Sequence, residues 1–411
     1  MSENETIGQR GRVAFACIFL SLFISNFMTI GLGMMIPSIC GDLNISLQTA
    51  GIFGSITFFS QVVIAFPVAA FATRVKPKYS MGLMLACLSV GCLLHAFAQN
   101  TAMIIVGRVL FAVFANSLGA PIQMVKSTWV PVRKINSLNA IQEVSSTFGQ
   151  VIGTAGITAL ISFLSSWREV VLVLGLISAA VTVIWLIFYQ DNKKRPAELA
   201  AGDPIVTSLK EALRHKEFWL LALGWPGTSL VWIAFTTFWP TYAAQYASMT
   251  RTDIGSAIGM IPVGSLAATL GSVPLANAIG YDKLMIWPWG LLLPVFYIIS
   301  LSTSDLAVLR IVFFLAGFGA FAFIPIAMGI PWKLPNISAP GIAMGISFII
   351  MFANIGSGLA GVIVSALMAS LSLKKALAIC AFSPLIWFAS TLFLPEFGRK
   401  HMERLATQAK R

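Results

Sequence analysis

Apolar residues along this chain come in long runs separated by short polar stretches, and the runs have the length that a bilayer demands. A helix needs about 20 mostly apolar residues to cross. On that measure the pattern predicts spans over residues 13–38, 48–72, 79–98, 102–127, 138–164 and 168–190. Six more follow over 218–244, 254–279, 284–302, 306–331, 340–369 and 375–394. The stretch from Leu334 to Leu373 carries no charge; Pro335 and Pro340 break it near its start, so it is read as one helix with apolar flanks. The apolar run from Val13 to Ile39 is too long for a signal-peptide core, which makes it a retained first helix.

The expected fold class is an all-α integral membrane protein of twelve transmembrane helices in two pseudo-symmetric six-helix bundles. Residues 1–190 form the N-terminal bundle, 191–217 a basic cytoplasmic linker, 218–395 the C-terminal bundle and 396–411 a basic cytoplasmic tail. Within the linker Ser208 and Glu211 have capping-box spacing, which allows a short surface helix from Ser208 to Lys216; a flexible basic linker is the alternative.

Composition agrees with this pattern. Of 411 residues, 57% are hydrophobic and 10% charged, against about 25% charged in soluble domains. The net charge of +12 forms no continuous basic stripe, so nucleic acid is not an expected partner. The basic residues instead sort by side. Arg10, Arg12, Arg74, Lys76, Lys78 and most of the rest fall on one face, while Arg168, Arg251, Lys374 and Lys375 fall on the other. By the positive-inside rule both termini face the cytoplasm, and the expected location is the cell (inner) membrane. The five cysteines sit in or beside apolar runs without metal spacing and read as buried thiols, so no cofactor or metal is expected. No H-E-x-x-H, paired intramembrane carboxylates or Walker motif is present, which argues against an enzyme and against direct ATP drive.

The halves share a weak internal similarity. Arg108-Val-Leu-Phe in the fourth span is followed by Pro121, and Arg310-Ile-Val-Phe in the tenth by Pro325. Gly149, Gly153 and Gly156 in the fifth span correspond to Gly356, Gly358 and Gly361 in the eleventh. Paired six-helix halves organise a large transporter class, with substrate at the midplane between them.

On these features the chain resembles the major facilitator superfamily. The stretch Ala69–Lys78 stands where that family has G-x-L-A-D-R-x-G-R-K; Arg74 and the basic end survive, but Thr73 replaces the aspartate and both glycines are lost. In the second half Asn277 holds the aspartate's place. Arg108 matches the family's arginine in span four, and Thr154 replaces the proline of the span-five glycine motif associated with antiporters. Trp167-Arg168 before span six is a further shared feature. The resemblance implies secondary transport by alternating access.

At a rise of about 1.5 Å per residue, Asn26, Gln61, Asn116, Gln150, Trp232, Ser265 and Asn354 fall near mid-depth. Asn26, Gln61, Gln150, Trp232, Ser265 and Asn354 are the candidate substrate-binding residues. Interhelical hydrogen bonding is the other reading of the amides. In span seven Trp225, Trp232 and Trp239 recur along one face, and Pro226-Gly227 can bend the helix into a gate. Charges inside spans are functional hypotheses by default. Arg74, Arg108, Glu143 and Arg310 are the gating or coupling candidates, with Glu143 the candidate proton carrier or else a partner for Lys126, Arg133 or Lys134. Spans one, two, seven and eight carry no charge, which favours a neutral, weakly acidic or amphiphilic solute. The expected function is facilitative or secondary active transport of a small organic solute or small anion by a monomer, with protons as a possible coupling ion. Proton-coupled efflux of a hydrophobic compound is the alternative within transport, and a non-transporting receptor or scaffold the alternative outside it.

Overall fold

The computed structural model describes residues 9–115, 122, 125, 129, 135–190, 205–398 and 400. Asn116, Pro121, Lys126, Arg133, Lys134 and the side chains of Arg74, Glu143 and Ser208 lie outside the described residues. The chain divides into two compact units, Met1–Ala201 and Gly202–Arg411. Among the described residues all regular structure is helical.

In the first unit the helices are α1 (Gln9–Ile30), α2 (Leu32–Leu43), α3 (Leu47–Arg74), α4 (Pro77–Ala96) and α5 (Thr101–Ala115). They are followed by α6 (Ile135–Val151), a π-helical turn (Ile152–Gly156), α7 (Ile157–Leu164) and α8 (Trp167–Phe188). In the second unit they are α9 (Ile205–Leu213), α10 (Lys216–Tyr246), α11 (Arg251–Ile258), α12 (Met260–Ile279), α13 (Trp289–Ser300) and α14 (Leu306–Ala322). The short α15 (Ile324–Gly329) then precedes α16 (Ala339–Met368), α17 (Leu373–Ala381) and α18 (Leu385–Leu392). Ten described helical segments are long and apolar enough to cross a membrane, and Leu32–Leu43 and Thr101–Ala115 are shorter apolar helices. Helices suit this solvent because each closes its own backbone hydrogen bonds where lipid offers none.

The two units repeat one packing order. In the first, α1 lies against α6, α3 against α5, and α4 against α8. In the second, α10 lies against α16, α12 against α14, and α13 against α17 and α18. The helices of spans one and five thus pair as do those of seven and eleven, two and four as eight and ten, three and six as nine and twelve. In each unit the end of the chain also bonds back to an earlier segment. Arg10 donates to Gln190 Oε1 in the first; in the second, Lys400 N donates to Gly280 O at 3.1 Å.

Several spans are less regular than their hydropathy. Span one, expected unbroken over 13–38, is interrupted at Gly31. A Cβ there would lie 2.6 Å from Phe27 O and 2.9 Å from Gly153 O, so the break coincides with a close approach of span five. Span twelve is interrupted between Ala381 and Leu385, ahead of which stands Pro384. Span seven goes the other way: α10 runs for 31 residues straight through Pro226 and Pro240. The linker helix occupies Ile205–Leu213 rather than Ser208–Lys216. Glu211 accepts from Ser338 N at 2.6 Å and from Ser338 Oγ at 2.5 Å. Ser338 is the N-cap of α16, so the linker helix is clipped to the start of span eleven.

Candidate functional site

The first unit gathers its polar groups where α1 meets the π turn. Gly149 in α6 and Gly153 in the π turn let span five approach α1 so closely that a Cβ would stand 2.3 Å from Phe23 O at the first and 2.8 Å from Phe27 O at the second. Small residues one turn apart permit such contact between membrane helices. Thr154 shapes the turn that follows. Its hydroxyl donates to Gln150 O at 2.9 Å and to Val151 O at 3.1 Å, which satisfies carbonyls in the widened π segment. Such π turns are frequent at functional sites.

On this seam Asn26 and Gln150 meet. Gln150 Nε2 donates to Asn26 Oδ1 at 3.0 Å, and Asn26 Nδ2 donates to Leu22 O at 3.0 Å. The side-chain Oε1 of Gln150 is buried without a partner among the described residues. Both readings of the amides therefore hold here at once: an interhelical bond, and one acceptor left over. Gln61 lies half-buried on α3.

Arg108 is 1% exposed and lies on the other flank of span one. Its Nη1 donates to Met28 O at 3.3 Å. The helical donor to that carbonyl would be Leu32, which starts α2 beyond the Gly31 break. Among the described residues Nε and Nη2 are buried without hydrogen-bond partners, and no carboxylate forms an ion pair with this guanidinium. A cation at membrane depth costs about 2.5–3.5 kcal/mol even when it can relax toward water. Arg108 is therefore a buried charge without a counter-charge among the described residues. Beside it lies His95, 2% exposed, with Nδ1 hydrogen-bonded to Gly91 O at 2.7 Å and Nε2 unpartnered. Its ring lies against Gly107, where a Cβ would come within 2.8 Å of Nδ1. Sequence reasoning passed over His95. The signal was there, as the one histidine inside a span, in the last turn of α4.

In the second unit Trp225, Trp232 and Trp239 of α10 do share a face, and span ten supplies a phenylalanine opposite each. The ring centroids are 5.3 Å apart for Trp225 and Phe323, 4.9 Å for Trp232 and Phe321, and 4.6 Å for Trp239 and Phe313. Trp239 Nε1 also donates to Ser300 O at 3.1 Å. The stripe is an aromatic seam inside this unit. Ser265 is 3% exposed, and its hydroxyl donates to Pro262 O of its own helix at 2.8 Å. Asn354 is half-buried on α16. Arg310 is exposed near the start of α14, where Nη2 donates to Ser256 Oγ at 3.0 Å. No group of three or more metal-ligating side chains occurs among the described residues.

Comparison with known proteins agrees with this architecture. Residues 18–334 match the family described as Major Facilitator Superfamily. The chain is 20% identical over 372 residues to the uncharacterized transporter YybO of Bacillus subtilis (strain 168), spanning 84% of this chain and 83% of that one. It is 22% identical over 245 residues to the MFS-type transporter sphD of Aspergillus fumigatus, spanning 56% of this chain and 40% of that one. In three dimensions it resembles a bacterial homolog to the human lysosomal transporter Spinster, crystallised in an inward-facing and unoccupied conformation. The TM-score is 0.72 at 15% identity, over 96% of this chain and 95% of that one, a likeness of fold.

Proposed function

The chain belongs to the major facilitator superfamily, and from that premise we propose that it carries a small, weakly acidic organic solute across the membrane as its anion, with Arg108 as the charge that receives it. The observation that carries this reading is the buried guanidinium of Arg108, held by one carbonyl and with two nitrogens unpartnered. The cost of stranding a charge in low dielectric is relieved by an opposite charge with good hydrogen bonds. A carboxylate matches a guanidinium in both charge and geometry. Gln150, with its side-chain Oε1 unpartnered among the described residues, and Asn26 are proposed as neutral contacts on the opposite flank of span one. Trp232 and Asn354 are the proposed contacts from the second half, and Gln61 and Ser265 complete the set.

In this reading the two halves alternate access by rocking, as the paired-repeat design of such carriers suggests. The basic face is cytoplasmic, in the cell membrane, by the charge bias of the loops. Glu143 is the proposed proton carrier, with Arg74 and Arg310 as gating residues at the ends of their spans. Trp225, Trp232 and Trp239, part of the aromatic content that allows efflux of a hydrophobic compound as the alternative, are engaged in the seam between spans seven and ten.

Uptake of radiolabelled monocarboxylates into proteoliposomes, with and without an imposed pH gradient, tests the proposal. Saturable uptake by the wild-type protein that falls at least tenfold in Arg108→Gln is expected. Uptake of neutral solutes alone, or an unaffected variant, would reject the anion reading.

A further inference from the structure

Outside the transport machinery, the second unit carries a groove of about 560 Å³ between the start of span seven and the end of span twelve. Leu220 and Leu223 line it on α10, and Leu385, Ile386, Ala389 and Phe393 line the opposite wall. The only polar lining residue is Ser390, and its hydroxyl is already donated to Leu220 O. The exposed walls are apolar: Leu223 is 52% exposed and Phe393 is 74% exposed. On a chain that spans a membrane, such a surface faces lipid.

The register of the two helices fixes what stands at the mouth. Ser383 Oγ donates to Gly227 O at 2.7 Å, and Gly224 lies against Trp387 and Ser390. Continuing antiparallel, the first residues of α10 come level with Leu394. Lys216, exposed, shares a helical face with Leu220 and Leu223 at i, i+4 and i+7. Lys283, in the segment between α12 and α13, reaches this end of α18, with Nζ donating to Leu392 O at 2.6 Å. An ammonium has three donors, so two remain for a ligand. Among the described residues the carboxylates nearby are engaged or buried. Glu396 accepts from the backbone of Asp282, Lys283 and Gly398. Asp282 pairs with Lys333, and Glu217 is 9% exposed. Trp219, 39% exposed and donating to Leu213 O at 3.0 Å, marks the membrane interface at this height.

We propose that this groove binds one anionic phospholipid of the adjoining leaflet, an acyl chain lying between α10 and α18 and the phosphate between Lys216 and Lys283. An apolar slot alone takes any tail. Two ammonium groups level with its mouth select the headgroup, since each basic residue near an anionic surface favours it measurably.

Native mass spectrometry of the detergent-purified full chain, titrated with dioleoyl phosphatidylglycerol or dioleoyl phosphatidylcholine, tests the site. The wild type is expected to retain one phosphatidylglycerol more tightly than phosphatidylcholine. Lys216→Gln should cut that preference about fivefold, and Lys216→Gln with Lys283→Gln should remove it. Ala389→Trp, which fills the slot, should lose both lipids while thermal unfolding stays unchanged. Because Lys283 also holds Leu392, the Lys216 single variant keeps the test independent of local unfolding. Equal retention of the two lipids by the wild type, a preference that survives in the double variant, or lipid still held by Ala389→Trp would each overturn the proposal.

Discussion

At the scale of single residues the informative group is Arg108. A charge-assisted hydrogen bond contributes about 1.5–3 kcal/mol, so Arg108→Gln is expected to lower anion uptake roughly 10- to 100-fold with the protein still inserted. Arg108→Lys keeps the charge but not the planar fork and should fall between. Uptake measured against membrane-localised protein checks both. The Asn26–Gln150 bond is worth less: interhelical hydrogen bonds in membranes average about 0.6 kcal/mol. A cycle of Asn26→Leu, Gln150→Leu and the double variant should show coupling of that size in stability. Any larger effect of Gln150→Leu alone on KM would report its unpartnered carbonyl oxygen. Arg108 was legible in the sequence because a charge within an apolar run stands out. That Asn26 meets Gln150 was not, because shared depth says nothing about which faces of two helices meet. The tryptophan stripe was legible as a stripe, but its phenylalanine partners on span ten carry no sequence signature.

At the scale of elements, hydropathy located the spans because length and lipid compatibility are properties of composition. It missed the break at Gly31 and the π turn at Ile152–Gly156, which arise where two spans press on each other rather than from either alone. Steric space at glycines makes this testable. Gly149→Ala puts a methyl 2.3 Å from Phe23 O and should destabilise the first unit by about 1–3 kcal/mol. Gly54→Ala, with nothing within 4 Å, should cost nothing. Thermal unfolding of the two variants in detergent compares them directly. The linker helix gives a pH prediction. Hydrogen bonds from the Ser338 hydroxyl and N–H hold the Glu211 carboxyl below the ordinary glutamate range. A lowered pKa in the clipped state means the clip is fully formed above the ordinary value and is lost only as pH falls through the lowered one. Hydrogen exchange over residues 205–213, corrected for intrinsic rate, should stay slow through the ordinary range and rise only below it. Glu211→Ala should exchange fast, and be cut faster by trypsin at Lys210 and Arg214, already at neutral pH.

At the scale of the whole molecule, the repeated packing order explains how a weak sequence repeat marks a strong structural one. What the halves share is the order in which helices pair, held by glycines at different numbers: Gly149 and Gly153 against Phe23 and Phe27 in one, Gly356 against Pro226 in the other. Few identities are needed to keep such contacts, so the repeat fades in sequence while the topology persists. That topology makes the sidedness of loops a single linked prediction. If the loop charges orient the chain as proposed, Lys210 and every other loop on the basic face lie in the cytoplasm, and the loop between α13 and α14 lies outside. In a background lacking the five native cysteines, Ser304→Cys should react with a membrane-impermeant maleimide in intact cells. Lys210→Cys should react only after the membrane is opened. Ser304 and Lys210 are separated by three spans, an odd number, so reaction of both from one face would refute the crossing count itself. Exchange of their behaviour would leave the fold intact and reverse the orientation, placing the basic loops outside the cell.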